Sequence, residues 1–288
     1  MTGTADPFGR THELDDGTLE ALVVRFEARG KHPHFSRMLR EYLAAMDIAP
    51  TARVLDIGCG TGLAARAVAR GPGFAGTIIG IDLSGYLVAA AARLAGEEGI
   101  GERLEFRTGD ASHLEFSDES FDAVVAHTLL SHVDDPLSVL EEAARVVRPG
   151  GTVGIFDGDY ASLTFGHPDP EKGKAYDETL TRALVTNPRV MRQLPRLLHT
   201  AGLELLASFP YVLSEAGAAT FWSSAIEAYS RLLPKSGAMS DMETDAWAAS
   251  LRADSEAHVF FGSCNYYAYV ARRPSGGPGV RARRGDGP

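Results

Sequence analysis

Between Arg53 and Asp157, short apolar runs alternate with segments whose apolar residues recur every three or four positions. The apolar runs are Arg53–Ile57, Thr77–Asp82, Leu104–Arg107, Phe121–His127 and Thr152–Asp157. Nearly continuous hydrophobicity, without a polar residue at every second place, predicts strands buried on both faces of a parallel sheet. Helices are predicted between them, over about 63–70, 84–94 and 136–147. In the last of these Leu137, Leu140, Ala144 and Val147 share a face, Asp134 or Asp135 caps the start and Pro136 suits the first turn. Pro149-Gly150-Gly151 ends it.

Upstream, Leu19, Leu22, Val23 and Phe26, then Phe35, Met38, Leu39, Tyr42 and Leu43, predict two helices within 19–46, broken at Lys31–His34 by Pro33. Downstream, helices are predicted over 171–200 and 214–255, with Pro188 after Asn187 as a helix start. Leu205–Phe209 reads as a strand between them, and the aromatic-rich alternation of His258–Val270 as one or two late strands. Residues 1–18 read as a flexible arm and the Pro-, Gly- and Arg-rich 274–288 as a disordered tail. That leaves 19–273 as a single domain, with a core at 50–160 and helical cap elements at about 161–200 and 214–255.

Charge narrows the function. A formal net charge of −10 gives a field that repels phosphate backbones, which argues against nucleic acid as partner. Two cysteines, Cys59 and Cys264, are too few for a disulfide framework or a four-ligand zinc site, and no metal is expected. Met1–Arg10 lacks the basic-then-apolar pattern of a signal peptide, and no apolar run is long enough to span a bilayer. The expectation is a cytoplasmic protein without membrane insertion; whether it forms a homo-oligomer is not readable.

The candidate chemistry lies where the predicted strands end. Val54-Leu55-Asp56-Ile57-Gly58-Cys59-Gly60-Thr61-Gly62 runs from a strand into a helix. Its glycines let backbone approach a ligand closely, while Asp56 before them would repel a pyrophosphate and suits a cationic amino-acid moiety. Asp82 ends the second strand, where an acid can take both hydroxyls of a ribose; the bland alternative is a cap for the helix starting near Ser84. Gly109-Asp110-Ala111 follows the third strand and suits an adenine amino group, or a plain turn. His127 and Thr128 sit where the fourth strand emerges, with His132 five residues on; either histidine is a candidate general base, the alternatives being a packed or hydrogen-bonded turn residue for His132 and a backbone contribution for His127. Asp157, Asp159 and Tyr160 close the fifth strand as candidates for substrate contact. Phe221, Trp222, Tyr229 and Trp247 in the later helices read first as core, and second as walls for a flat apolar acceptor. Tyr266, Tyr267 and Tyr269 face the same choice, with Tyr267 on the face opposite Tyr266.

Taken together, these segments resemble the class I S-adenosylmethionine (SAM)-dependent methyltransferases, and within them the ubiquinone/menaquinone-biosynthesis-type small-molecule group. The resemblance is specific over about 50–160. It implies an α/β, Rossmann-like fold: a seven-stranded, mostly parallel sheet with helices on both faces, N-terminal helices and a helical cap insertion after strand five. It implies SAM as cofactor and S-adenosylhomocysteine as product. Asp56, Gly58, Cys59 and Gly60 would hold the methionyl end, Asp82 the ribose with Leu83 against the adenine, and Asp110 and Ala111 the adenine edge. His127 would lie near the transferred methyl. The implied reaction is in-line SN2 transfer to a small molecule, with His127, His132, Asp159 and Tyr160 as catalytic candidates. An Asn/Asp-Pro-Pro-Tyr-like motif is missing after the fourth strand, where Ala126-His127-Thr128-Leu129 stands, which disfavours nucleobase or protein-glutamine acceptors. Two alternatives stay open: a SAM-binding enzyme turned to a non-methylating reaction, and a non-catalytic SAM-binding module. An NAD dehydrogenase is disfavoured, because the spacing is Gly-x-Gly-x-Gly with an acid before it.

Overall fold

The computed structural model describes residues 6–276. Two helices open the fold. α1 (Asp16–Lys31) is capped by Asp15, whose side chain accepts from the Thr18 N–H; α2 (Pro33–Ala45) carries its proline in the first turn, where a missing N–H is harmless. Then strand and helix alternate: β1 (Arg53–Ile57), α3 (Leu63–Ala69), β2 (Thr77–Asp82), α4 (Gly85–Glu97), β3 (Leu104–Thr108), β4 (Phe121–His127), α5 (Pro136–Val146) and β5 (Val147–Phe165). Asp135 caps α5 by accepting from the N–H groups of Leu137 and Ser138. The remainder is α6 (Pro170–Leu184), α7 (Val190–Thr200), β6 (Glu204–Gly217), α8 (Phe221–Ser236), α9 (Asp241–Glu256) and β7 (Phe260–Arg272).

One seven-stranded sheet results, in the order β3-β2-β1-β4-β5-β7-β6. The first five strands are parallel; β7 runs antiparallel to β5 and β6 antiparallel to β7. Because β1 pairs with β2 on one side and β4 on the other, the strand order reverses there. A crevice opens beyond the carboxyl ends of strands at such a reversal, the usual ligand position in open α/β sheets. One sheet face packs Val54, Val125 and Phe156 with residues of α2, α3, α8 and α9; the other packs Leu55, Val124 and Ile155 with α5 and α7. Among the described residues no helix is long and apolar enough to cross a membrane.

The structure departs from the sequence reading at element ends. The fifth strand continues from Asp157 to Phe165, because β7 pairs with it out to Phe165 across an irregularity between Asp159 and Thr164. Cap helices therefore begin at Pro170, past the expected 161. The helix expected to start at 214 starts at Phe221, since β6 runs to Gly217 along β7. The expected 171–200 and 214–255 are each two helices; Pro188 lies ahead of α7, which begins at Val190. Within the expected arm Asp6, Pro7, Thr11 and Thr18 are buried, and residues 16–18 already belong to α1. Residues 1–5 and 277–288, the rest of that arm and most of the expected tail, lie outside the described residues.

Phe156 sits at the centre of the first face, fully buried and stacked with Tyr42, His127 and Tyr266 at ring-centroid distances of 5.8, 4.7 and 5.6 Å. Truncating such a ring removes both transfer energy and packing. Phe156→Ala is expected to lower unfolding free energy by about 3–5 kcal/mol, measured by urea denaturation. A loss below about 1 kcal/mol would mean the stack is not structural.

Candidate active site

After Ile57 the chain turns through Gly58 to Gly62 into α3. Gly58 and Gly60 have φ of 64° and 53°, a left-handed conformation that side chains resist. A Cβ on Gly58 would also stand 2.5 Å from Leu129 Cδ1, so the turn lies tight against the loop after β4. From β2, Asp82 clamps this turn: its Oδ2 accepts from the Gly60 N–H at 2.9 Å and its Oδ1 from the Ser84 N–H at 3.0 Å. Those two bonds fill about half of a carboxylate's four acceptor positions. Burial raises the Asp82 carboxyl above its ordinary value, while the N–H bonds from Ser84 and Gly60 work the other way. Asp82 is thus both the clamp and a candidate ribose ligand, and the helix is capped separately by Ser84, whose Oγ accepts from the Leu87 N–H.

The turn forms one wall of a cleft enclosing about 1360 Å³, counting the space at its mouth. Gly58, Cys59 and Gly60 line it, as do Asp82, Leu83, Asp110 and Ala111 toward one end. Leu83 is 44% exposed, an apolar side chain with no protein neighbour to cover it fully. Asp110 uses Oδ1 to accept from the N–H and Oγ of Ser112, which shapes its turn.

His127, His132 and Tyr160 line the same cleft, but in different states. His127 Nδ1 lies 3.0 Å from the Tyr42 hydroxyl, its ring is stacked on Phe156, and its buried Nε2 has no partner. Burial, with Arg29 adding to it, holds its pKa well below the ordinary histidine value, so the ring is neutral. His132 Nδ1 pairs with Asp6 Oδ2 at 2.8 Å. Burial opposes its charge, but the Asp6 carboxylate and its hydrogen bond outweigh burial and raise the pKa. Burial keeps the Tyr160 phenol protonated far beyond neutral pH.

Several sequence candidates do not line the cleft, among them Asp56, Asp157, Asp159, Phe221, Trp222 and Trp247. Asp56 shares its strand face with Val54 and lies beneath the turn, where Oδ2 accepts from the Ala65 N–H at 3.0 Å inside α3. Burial pushes its carboxyl up to about 7, against that hydrogen bond, and Oδ1 has no partner. Through the Ala65 bond it supports the turn from behind. Asp159 is taken up by Arg192, which donates from Nε to both oxygens at 2.9 Å and from Nη2 to Oδ2 at 2.7 Å. Asp157 is likewise internal, accepting from the N–H and Oγ of Ser131 and so tying the loop after β4 to β5.

Similarity to known proteins agrees with this geometry. Residues 55–155 match the methyltransferase domain family. Demethylmenaquinone methyltransferase of Bacillus cytotoxicus is 30% identical over 192 residues, which are 62% of this chain and 80% of that protein. The chain belongs to the class I SAM-dependent methyltransferases. Methyltransferase GfsG of Streptomyces halstedii is 32% identical over 170 residues, 59% of each protein. The [4+2]-cyclase SpnF has a similar structure, with TM-score 0.55 and 26% identity over 84% of this chain and 82% of SpnF. The chain spans about half or less of several curated relatives, including 48% of a 37.1 kDa Streptomyces fradiae transposon protein and 33% of an Aspergillus fumigatus sterol 24-C-methyltransferase.

The cleft also contains residues that the sequence reading missed, Arg25, Phe26 and Arg29 of α1, and it is lined by Thr128 just past the end of β4. Thr128 has a φ of 57°, costly for a β-branched residue; its N–H donates to the Phe156 carbonyl at 2.6 Å and its Oγ1 accepts from Arg29 Nη2 at 3.0 Å. Asp6 was missed too: besides His132 it accepts from the N–H groups of Phe8, Gly9 and Thr186.

Asp6→Asn is expected to lower the His132 pKa, read by NMR titration of the imidazole. A histidine raised in the folded state adds stability below its unfolded pKa, near 6.5, and loses that contribution as pH rises through the folded value. The stability gap between wild type and Asp6→Asn should therefore narrow as pH rises through the His132 pKa. A gap that stays constant, with an unmoved titration, would uncouple the pair.

Proposed function

We propose that this chain transfers a methyl group from SAM to a small-molecule acceptor held at the inner, aromatic end of the cleft. The observation that carries this reading is the left-handed glycine turn clamped by Asp82, at one side of a cleft that is also lined by Tyr160, Tyr229 and Tyr266. The residues suit the cofactor: Gly58 and Gly60 offer open backbone for the methionyl end, Asp82 retains acceptor capacity for ribose hydroxyls, and Leu83, Asp110 and Ala111 surround the adenine place. Bound there, SAM supplies a methyl already activated by its sulfonium.

What the chain itself must do is orient the acceptor, exclude water and, for an acceptor that loses a proton, receive it. His132 is the base in this reading, because Asp6 holds its Nδ1 and leaves Nε2 for the cleft. In this arrangement Asp6 is a positioning residue. His127, neutral and locked in the stack, shapes the site, and Tyr160 acts as a hydrogen-bond donor only. Residues 19–273 act as one catalytic domain, with α6 and α8 closing the inner end through Leu180, Leu184 and Tyr229.

A second reading rests on the likeness to SpnF, named for a cyclisation. The same apolar interior would suit ring closure with SAM as a bound charge. The two readings part on one product: methyl transfer releases S-adenosylhomocysteine in step with acceptor consumption, and cyclisation does not. For either, Asp82→Ala should weaken SAM binding by about 1.5–3 kcal/mol, the scale of lost hydrogen bonds to a charged group, as measured by calorimetry. Unchanged affinity would remove Asp82 from the cofactor site.

A further inference from the structure

Arg25 is 6% exposed, yet it reaches the inner end of the cleft. Its Nη1 donates to Ser224 Oγ at 2.7 Å and to the Phe221 carbonyl at 3.4 Å, and its guanidinium lies 4.7 Å from the centroid of the Phe221 ring. These contacts fix its direction without neutralising it. Among the described residues it forms no ion pair; the ionisable groups facing it are Arg29, one turn along α1, His32, and the hydroxyls of Tyr229, Tyr266 and Tyr160. Arg29 is in the same condition: it donates to Thr128, lies over Phe26 and Phe35, and keeps a buried Nε with no partner.

The chain treats another buried arginine differently. Arg66, 2% exposed, is bridged by Glu27 and Glu98. Glu27 stands two residues from Arg25 on α1, but it is directed to Arg66 and Thr61. A buried cation without a counter-ion is strongly unfavourable. Burial and the neighbouring Arg29 pull the Arg25 pKa down to about 10, which still leaves it charged at neutral pH. SAM carries a sulfonium and an ammonium against one carboxylate, so cofactor binding adds net positive charge and does not balance the two arginines.

We propose that Arg25 is the anchor for a carboxylate on the acceptor, so that the substrate is a small organic acid with an apolar body. The guanidinium fork matches a carboxylate's two oxygens. Protonated Tyr229 and Tyr266 flank it as further donors, and Leu163, Leu180 and Leu184 give the apolar body its wall. Two arginines, one of them already engaged by Thr128, suit a monoanion better than a diphosphate with its several charges. This assignment of substrate class rests on the proposed methyl transfer at the same cleft.

The test uses the full chain saturated with S-adenosylhomocysteine. Acetate, hexanoate, octanoate, benzoate and 3-phenylpropanoate are each titrated by calorimetry against the corresponding primary amide. The expected result is that at least one acid binds about tenfold or more tightly than its amide. Arg25→Met should abolish that preference and Arg25→Lys retain part of it, with S-adenosylhomocysteine affinity within about threefold of wild type in both, a change below 1 kcal/mol. Equal binding of acids and amides, no binding by any acid, or a preference that survives in Arg25→Met would overturn the proposal. So would a tenfold loss of S-adenosylhomocysteine affinity in Arg25→Met, which would assign the arginine to the cofactor. Should wild type not bind S-adenosylhomocysteine at all, the methyl-transfer reading fails, while the acid–amide comparison without it still decides the role of Arg25.

Discussion

Between β1 and α3 the chain reverses through left-handed glycines, and a single carboxylate from the neighbouring strand holds the middle of the turn by the Gly60 N–H at 2.9 Å. The rest of the site depends on that hydrogen bond. Parallel pairing of β1 with β2 brings Asp82 level with the turn, and burial makes its hydrogen bonds count for more than they would in water. Asp56 secures the same turn from below through Ala65. The backbone is thereby held open toward the cleft, with the close contact to Leu129 leaving no space for a side chain at Gly58. Preorganised backbone of this kind binds a ligand without first having to be ordered.

The cleft built on this turn is electrically divided. Asp82 and Asp110 stand toward one end, Arg25 and Arg29 toward the other, and aromatic rings separate the inner end from the sheet. The described residues leave both arginines without carboxylate partners, although structural arginines elsewhere in the chain are paired, Arg66 with two glutamates and Arg192 with Asp159. Thr128 adds a strained backbone in the same place. Unpaired charge and strain at one end of a cleft lower stability and persist where binding requires them. The division matches a cofactor with hydroxyls and an amino group at one end and an anionic partner at the other.

How much of this could be read from the chain depended on sequence distance. The parallel core was legible because buried strands are written as local apolar runs. The ends of β5 and β6 were not: Asp157, Gly158 and Asp159 look like a strand terminus, and β6 alternates exposed and half-buried residues without a continuous apolar run. Both strands are prolonged by pairing with β7, a contact across roughly a hundred residues for β5 and about half that for β6. Gly58, Gly60, Asp82 and Asp110 were legible for the same local reason, each standing at a strand end in a short motif. Asp56 was legible as part of the same motif, but its bond to Ala65, which ties β1 to α3, was not. Arg25, Arg29 and Asp6 carried no motif; helical spacing marks α1 only as a packing helix, and the contact of Asp6 with His132 spans 126 residues.

The central claim is that the clamped turn is a SAM site and not a dinucleotide site. Titrating the purified chain with SAM and, separately, with NAD in a calorimeter tests it most directly. The account predicts saturable SAM binding in the micromolar range and no heat of binding with NAD. NAD binding, or silence with SAM at millimolar concentration, would contradict it.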